Sequence, residues 1–269
     1  MALRSTTVKE TGHNGLKFRE HQLAHLLLDN LKGIELGPSD HNSFNLPGSL
    51  SVAPLDGFEF YKAGQVEQSG KYIEIDIPGE ADSIPVENDS QDYVLSSHVL
   101  EHVPNLFKAL LEMIRVVKDG GYIFSIIPQR DALPADVGRP LTTYVELEEA
   151  YIKNFTPETM PEERTKAAGS PRGHYWVLSL DQFKGIIESF NSAYLASLGY
   201  NLKWVAEEDP DKKVGNGFCV VYQVEKPIML FANTQADEAH DNKQEPPEEK
   251  SIEPEPPTPA PKKTRKKNQ

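Results

Sequence analysis

One cysteine in 269 residues excludes a good deal. Cys219 has no second thiol to pair with, so neither an intramolecular disulfide nor a cysteine metal cluster can form, and a reducing, cytoplasmic setting is expected. The run Phe218-Cys219-Val220-Val221 reads as a strand in which the thiol is a small buried hydrophobe. Long apolar runs are missing too. No stretch is long enough to cross a bilayer, and Met1–Thr6 lacks the apolar core of a signal peptide. Basic charge is scarce: 28 Lys and Arg stand against 41 Asp and Glu, a formal net charge of -13. Phosphate recognition draws on a basic face, so nucleic acid is not expected as the main partner. A small-molecule or glycan substrate fits that balance better. The remaining composition, 38% hydrophobic and 26% charged, is that of an ordinary soluble α/β domain with added segments.

Residues 1–16 read as a flexible N-terminus, 17–232 as one domain and 233–269 as a disordered tail. The tail runs through Glu-Pro-Pro-Glu-Glu and Pro-Glu-Pro-Pro-Thr-Pro-Ala-Pro with almost no large apolar side chains. Such a segment cannot offset the entropy of ordering itself. Its end, Lys262-Lys263-Thr264-Arg265-Lys266-Lys267, reads as solvated charge, with contact to an acidic partner or membrane surface as the alternative.

The domain alternates as an α/β sheet does. Leu23, Leu26, Leu27 and Leu31 stand at helical spacing, so residues 17–30 hold a first helix. Strands follow at Gly33–Gly37, Leu50–Val52, Tyr72–Ile77, Asp92–Ser97 and Tyr122–Ile127, the last apolar enough to be covered on both faces. A helix is expected over Leu106–Val117, stopped by Lys118-Asp119-Gly120-Gly121 with its glycines beyond the C-terminus. Residues 129–173 break the alternation, with one helix candidate at Thr143–Phe155, and read as an insertion that could cover a substrate. A helix over Leu180–Phe190 and paired strands at Leu202–Glu207 and Phe218–Val224 complete the domain.

Open parallel sheets bind ligands beyond the carboxyl ends of their strands. The most specific stretch in the chain lies there. From Gly79 it reads Gly-Glu-Ala-Asp-Ser-Ile-Pro, then Asp92-Tyr-Val-Leu-Ser-Ser-His-Val-Leu-Glu-His-Val-Pro104, a helix, and Val-Val-Lys-Asp-Gly-Gly-Tyr-Ile-Phe-Ser-Ile-Ile-Pro128. This closely resembles the class I S-adenosylmethionine-dependent methyltransferases of the small-molecule type. The resemblance spans residues 17–226 and is strongest over 79–128. It implies a Rossmann-like, mostly parallel seven-stranded sheet with an antiparallel last strand, and S-adenosylmethionine as cofactor. It also implies that Glu35 and Gly37 line the methionine end of that cofactor, Glu80 and Ala81 meet its adenine, and Ile84 packs on the ring. Ser96, Ser97 and His98 would stand beside the methyl group.

Two positions depart from the family pattern. The loop after the first strand, Glu35-Leu36-Gly37-Pro38-Ser39-Asp40, carries one glycine rather than several. Where an acid is expected to hold the ribose the chain has Val52-Ala53-Pro54, with Asp56 two residues further on as the candidate. A non-catalytic scaffold of the same fold is therefore the second reading. A third is a zinc protease, because His98-Val-Leu-Glu-His102 matches the inverted pattern His-x-x-Glu-His. Pro104 and the preceding apolar strand break the continuous helix such a site needs, so no metal site is expected. The acceptor is read as a hydroxyl, with His98 or His174 as the group that takes its proton. For His174-Tyr175-Trp176, an aromatic anchor pinning the insertion is the equal alternative.

Overall fold

The computed structural model describes residues 18–56, 58–134, 136–169 and 173–227, apart from the side chains of Phe58 and Phe60. The expected N-terminus, 1–16, and tail, 233–269, lie outside them. Seven strands form one sheet: β1 (Gly33–Leu36), β2 (Ser49–Ala53), β3 (Ile77–Pro78), β4 (Gln91–Ser97), β5 (Val117–Pro128), β6 (Asn201–Glu208) and β7 (Gly217–Glu225). Their order is β3-β2-β1-β4-β5-β7-β6. Pairing is parallel from β3 through β5, and the last strand, β7, runs antiparallel to both β5 and β6. That is the sheet the resemblance implies. Strand order reverses between β1 and β4, the place where an open sheet splays its connections and leaves a crevice.

Alternation along the strands sorts the core into two layers. Ile34, Val94 and Ile123 face α3 (Leu106–Val116), α4 (Tyr144–Ile152) and α6 (Leu180–Ala193), joining Phe107, Met113, Leu147, Phe183 and Phe190. Tyr93, Leu95, Phe124, Cys219 and Val221 face the other way, under α1 (Gln22–Leu28) with its Ala24 and Leu28. Cys219 is fully buried there, as its neighbours suggested. No helix of the described residues is long and apolar enough to cross a membrane.

Several local features differ from the sequence reading, each for a visible reason. Only Ile77–Pro78 of the third expected strand joins the ladder. The carboxylate of Asp76 takes the Ser51 N–H and hydroxyl, both at 2.8 Å, and so stands in for backbone pairing. Gly120 does not end α3: the helix passes through an extended Val117 straight into β5, and Gly120, at φ +76°, bends that strand instead. Helix α2 (Phe58–Ser69) has no clear apolar stripe and no signal that the pattern could show. The insertion at 129–173 is less loose than its composition suggests. It holds α4, whose Thr143 forms a capping box with Glu146, and a short α5 (Glu162–Ala168). Buried Leu147 and Ala150 bind α4 into the core. Finally, β1 and β2 are joined by residues 37–48 without an α-helix, only a 3-10 turn at Asp40–Asn42. Phe44 and Leu46 from that loop cover the sheet beside α1.

Candidate functional site

The crevice at the strand reversal is lined by the carboxyl ends of β3, β2, β1 and β4. Gly37 leaves β1 at φ +58°, with its N–H bonded to Val52 O at 2.9 Å. A Cβ there would fall 2.7 Å from Cγ2 of Val99, so glycine is required for the turn to pass under the β4 exit. Asn42, in the following 3-10 turn, donates its amide to Ser97 Oγ at 3.1 Å and thereby joins the β1 and β4 exits. Its Oδ1 is buried with no hydrogen-bond partner among the described residues. Asp56 sits exposed in the turn after β2, and Glu80 is exposed after β3, where Ser83 N–H bonds back to Glu80 O at 3.0 Å. Gly37, Asp56, Glu80, Ser97 and His98 thus share one edge.

Other residues predicted for the cofactor lie behind it. Ser96 is buried and its hydroxyl bonds Ser125 Oγ at 3.0 Å, between strands. Ala81 and Ile84 are enclosed in the layer under α3, with Ile84 N–H held by Glu112 Oε1 at 2.8 Å. Their side chains belong to the core rather than to the open edge. Glu35 faces a cavity of about 120 Å³ shared with Pro38, Ser43, Ser51 and Asp76. Burial pushes its carboxyl up to about 7, with the Lys213 ammonium pulling the other way.

Past Ser97 the chain does something the sequence did not show. His98 adopts φ +56°, a left-handed conformation that costs a non-glycine residue about 1 kcal/mol or more. Its N–H still bonds Ile126 O at 2.9 Å, so the strain is held by the β4–β5 pairing. A 3-10 turn, Leu100–His102, follows. The continuous helix of a zinc protease is absent here. Instead the turn drives Glu101 inward until it is fully buried. His98 Nδ1 lies 3.7 Å, His102 Nε2 3.5 Å and His174 Nε2 3.9 Å from Glu101 Oε1. The two histidines read separately as proton acceptors therefore converge on one carboxylate. His174 is oriented from behind by Asp136, whose Oδ2 lies 2.5 Å from Nδ1, and Asp136 in turn pairs with Arg139 at 2.7 Å.

The aromatic pair beside His174 anchors it. Tyr175 N–H bonds Glu101 O at 2.8 Å, and the Trp176 indole donates to Val103 O at 2.6 Å. Glu101 entered the sequence reading only as part of the Leu-Glu-His sequence and the protease pattern, with no role of its own, and Asp136 did not enter it. A lone acid in the insertion carries no periodic signal. A glutamate a few residues past a strand end, next to a histidine, was the available hint.

This sheet, reversing between β1 and β4 with an antiparallel last strand, is a Rossmann-like α/β fold. Residues 60–125 match the family described as a methyltransferase domain. A demethylmenaquinone methyltransferase of Lactococcus lactis subsp. lactis (strain IL1403) is 32% identical over 99 residues, 37% of this chain. The chain covers 36% of that relative's length. Similar solved structures include an S-adenosylmethionine-dependent methyltransferase of Thermotoga maritima, at 18% identity and TM-score 0.43 over 76% of this chain and 87% of that one. Another comes from Methanosarcina mazei, at 13% identity and TM-score 0.44 over 76% and 97%.

Proposed function

We propose that the protein transfers a methyl group from S-adenosylmethionine to a hydroxyl of a small-molecule or glycan acceptor. The observation that supports this reading is the strand reversal between β1 and β4, with Gly37, Asn42, Asp56, Glu80 and Ser97 all at or just beyond the carboxyl ends of neighbouring strands and Asn42 bonded to Ser97. Its chemistry suits the cofactor. The unpartnered Asn42 Oδ1 and the buried Glu35 carboxyl are acceptors suited to an ammonium group, and Gly37 opens the backbone. Glu80 would accept from the adenine amine, and Asp56 would reach the ribose in place of the acid that Ala53 and Pro54 do not supply. The cofactor supplies the activated methyl group. The chain's part is to hold two reactants in line, which can contribute about 7 kcal/mol or more to lowering a barrier. His98 or His174 would take the acceptor proton, and residues 129–173 would cover the acceptor.

Calorimetry with S-adenosylmethionine and S-adenosylhomocysteine tests the cofactor assignment. Both ligands should bind, and Glu80→Ala and Asp56→Ala should each weaken them by about tenfold or more, the value of a charge-assisted hydrogen bond. Unaltered affinity in Asp56→Ala would show that the ribose is not held there. Absence of binding to the wild-type chain at millimolar ligand would favour the scaffold reading. Product analysis showing methylated protein or nucleic acid would overturn the acceptor assignment.

A further inference from the structure

The centre around Glu101 asks for a cation. Its carboxylate is fully buried, and among the described residues no hydrogen-bond donor reaches either oxygen. An uncompensated buried charge is among the most costly arrangements in a protein. Three imidazole nitrogens surround it, yet at 3.5, 3.7 and 3.9 Å from Oε1 they stand outside the range of an N–H···O bond. The tautomer of His174 sharpens the point. In its neutral form, with Nδ1–H engaged by Asp136 at 2.5 Å, His174 turns the lone pair of Nε2 toward Glu101. Lone pair against carboxylate is repulsive unless something positive lies between them.

We propose that Glu101, His102 and His174 bind a divalent first-row transition-metal ion, with zinc as the ion to test first. One ligand atom from each of the three lies within 4.8 Å of the other two. Ligands about 2.0–2.1 Å from a tetrahedral ion sit about 3.3 Å apart. The separations of 3.5 and 3.9 Å from the carboxylate oxygen need only a small contraction, and the two imidazoles, within 4.8 Å of each other, close by up to about 1.5 Å through side-chain rotation. Two imidazoles and a carboxylate suit zinc, iron or manganese, whereas magnesium and calcium take oxygen ligands. Asp136 behind His174, itself held by Arg139 at 2.7 Å, is the carboxylate–histidine arrangement that commonly orients a metal-bound imidazole. His98, whose Nδ1 faces the same carboxylate oxygen, stands beside this set rather than within it.

Three protein ligands leave a position for an oxygen ligand, water or a substrate hydroxyl. The centre lies immediately after the β4 exit that closes the methyltransferase crevice, so an ion there would stand next to the proposed acceptor. The site is unlike that of a protease of the His-x-x-Glu-His type, in which the two histidines of the pattern bind and the glutamate acts as base. Here the glutamate binds, and the partner histidine comes from the far end of the insertion.

The test uses the untagged full-length chain, stripped with a chelator and titrated with zinc chloride by calorimetry, with elemental analysis after dialysis. Cobalt(II) provides a second readout through its visible ligand-field bands. Uptake of one ion per chain is expected. It should be lost in the near-isosteric Glu101→Gln and in His174→Ala, and weakened by about 10–100-fold in Asp136→Asn. Circular dichroism of each variant separates loss of the site from loss of the fold, and Glu101→Gln and Asp136→Asn disturb packing least. A folded wild-type chain that takes up no zinc, cobalt, iron or manganese would overturn the proposal. So would uptake that is unchanged in Glu101→Gln. Neither readout involves the cofactor, so failure here leaves the methyl-transfer reading untouched.

Discussion

Trp176→Ala is expected to lower the free energy of unfolding by about 4 kcal/mol, the range for emptying a buried aromatic site. The side chain is 1% exposed, its indole donates to Val103 O at 2.6 Å, and the Arg164 guanidinium lies 4.8 Å from the ring centroid. Truncation removes the packing and leaves Val103 O without this donor inside the core. Trp176→Phe, which keeps most of the volume, should lose only about 1–2 kcal/mol for the hydrogen bond. Urea unfolding followed by circular dichroism measures both. A loss below about 1 kcal/mol in Trp176→Ala would mean that the segment from His174 onward is not the anchor its contacts describe. Because Tyr175 and Trp176 both donate their N–H groups to Glu101 O, the same variant should also loosen the centre around Glu101.

The second large effect is a pH dependence. Glu35 keeps its proton up to about 7 in the folded protein, against an ordinary value of 4.5, because burial disfavours its charged form. Between those two values the folded state binds more protons than the unfolded one, so stability falls as pH rises. The contribution is fully favourable below pH 4.5 and is lost by the time the pH has passed 7. Glu35→Gln removes the titration. Relative to wild type it should gain about 2 kcal/mol between pH 5 and pH 8. Urea unfolding at four pH values across that range is sufficient. Parallel stability curves for the two proteins would show that the Glu35 carboxyl is not perturbed by its cavity.

Much of the architecture is legible in the sequence because it rests on periodicity. The short, mostly buried runs of Gln91–Ser97 and Gly217–Glu225, and the apolar stripe of Leu106–Val116, place β4, β7 and α3 almost to the residue. Where a side chain replaces backbone pairing, as Asp76 does at Ser51, the pattern misleads about strand length. Helix α2 escaped notice because its faces are not sorted into apolar and polar. The candidate site divides in the same way. Residues tied to strand ends, such as Gly37 and Ser97, arrive at the crevice. Ile84 does not, because which face of a loop turns inward depends on what packs against it, here Glu112 and Arg115 of α3. The meeting of His98, His102 and His174 on Glu101 depends on a left-handed residue and an insertion folding back across many intervening residues. No spacing rule reports that.

The α1 side of the sheet is completed by segments far apart in the chain. Ala24 and Leu28 pack with Cys219 and Val221, His21 Nε2 lies 3.1 Å from Glu208 Oε2, and Lys213 Nζ donates to Arg19 O at 3.3 Å. During synthesis, then, α1 leaves the ribosome well before β7, part of the surface it packs on. At typical elongation rates the roughly 190 residues between them take on the order of ten seconds or more to appear. Through that interval Leu95, Phe124 and Ile126 lack Cys219 and Val221 beside them, so this face should be the one a nascent-chain chaperone meets.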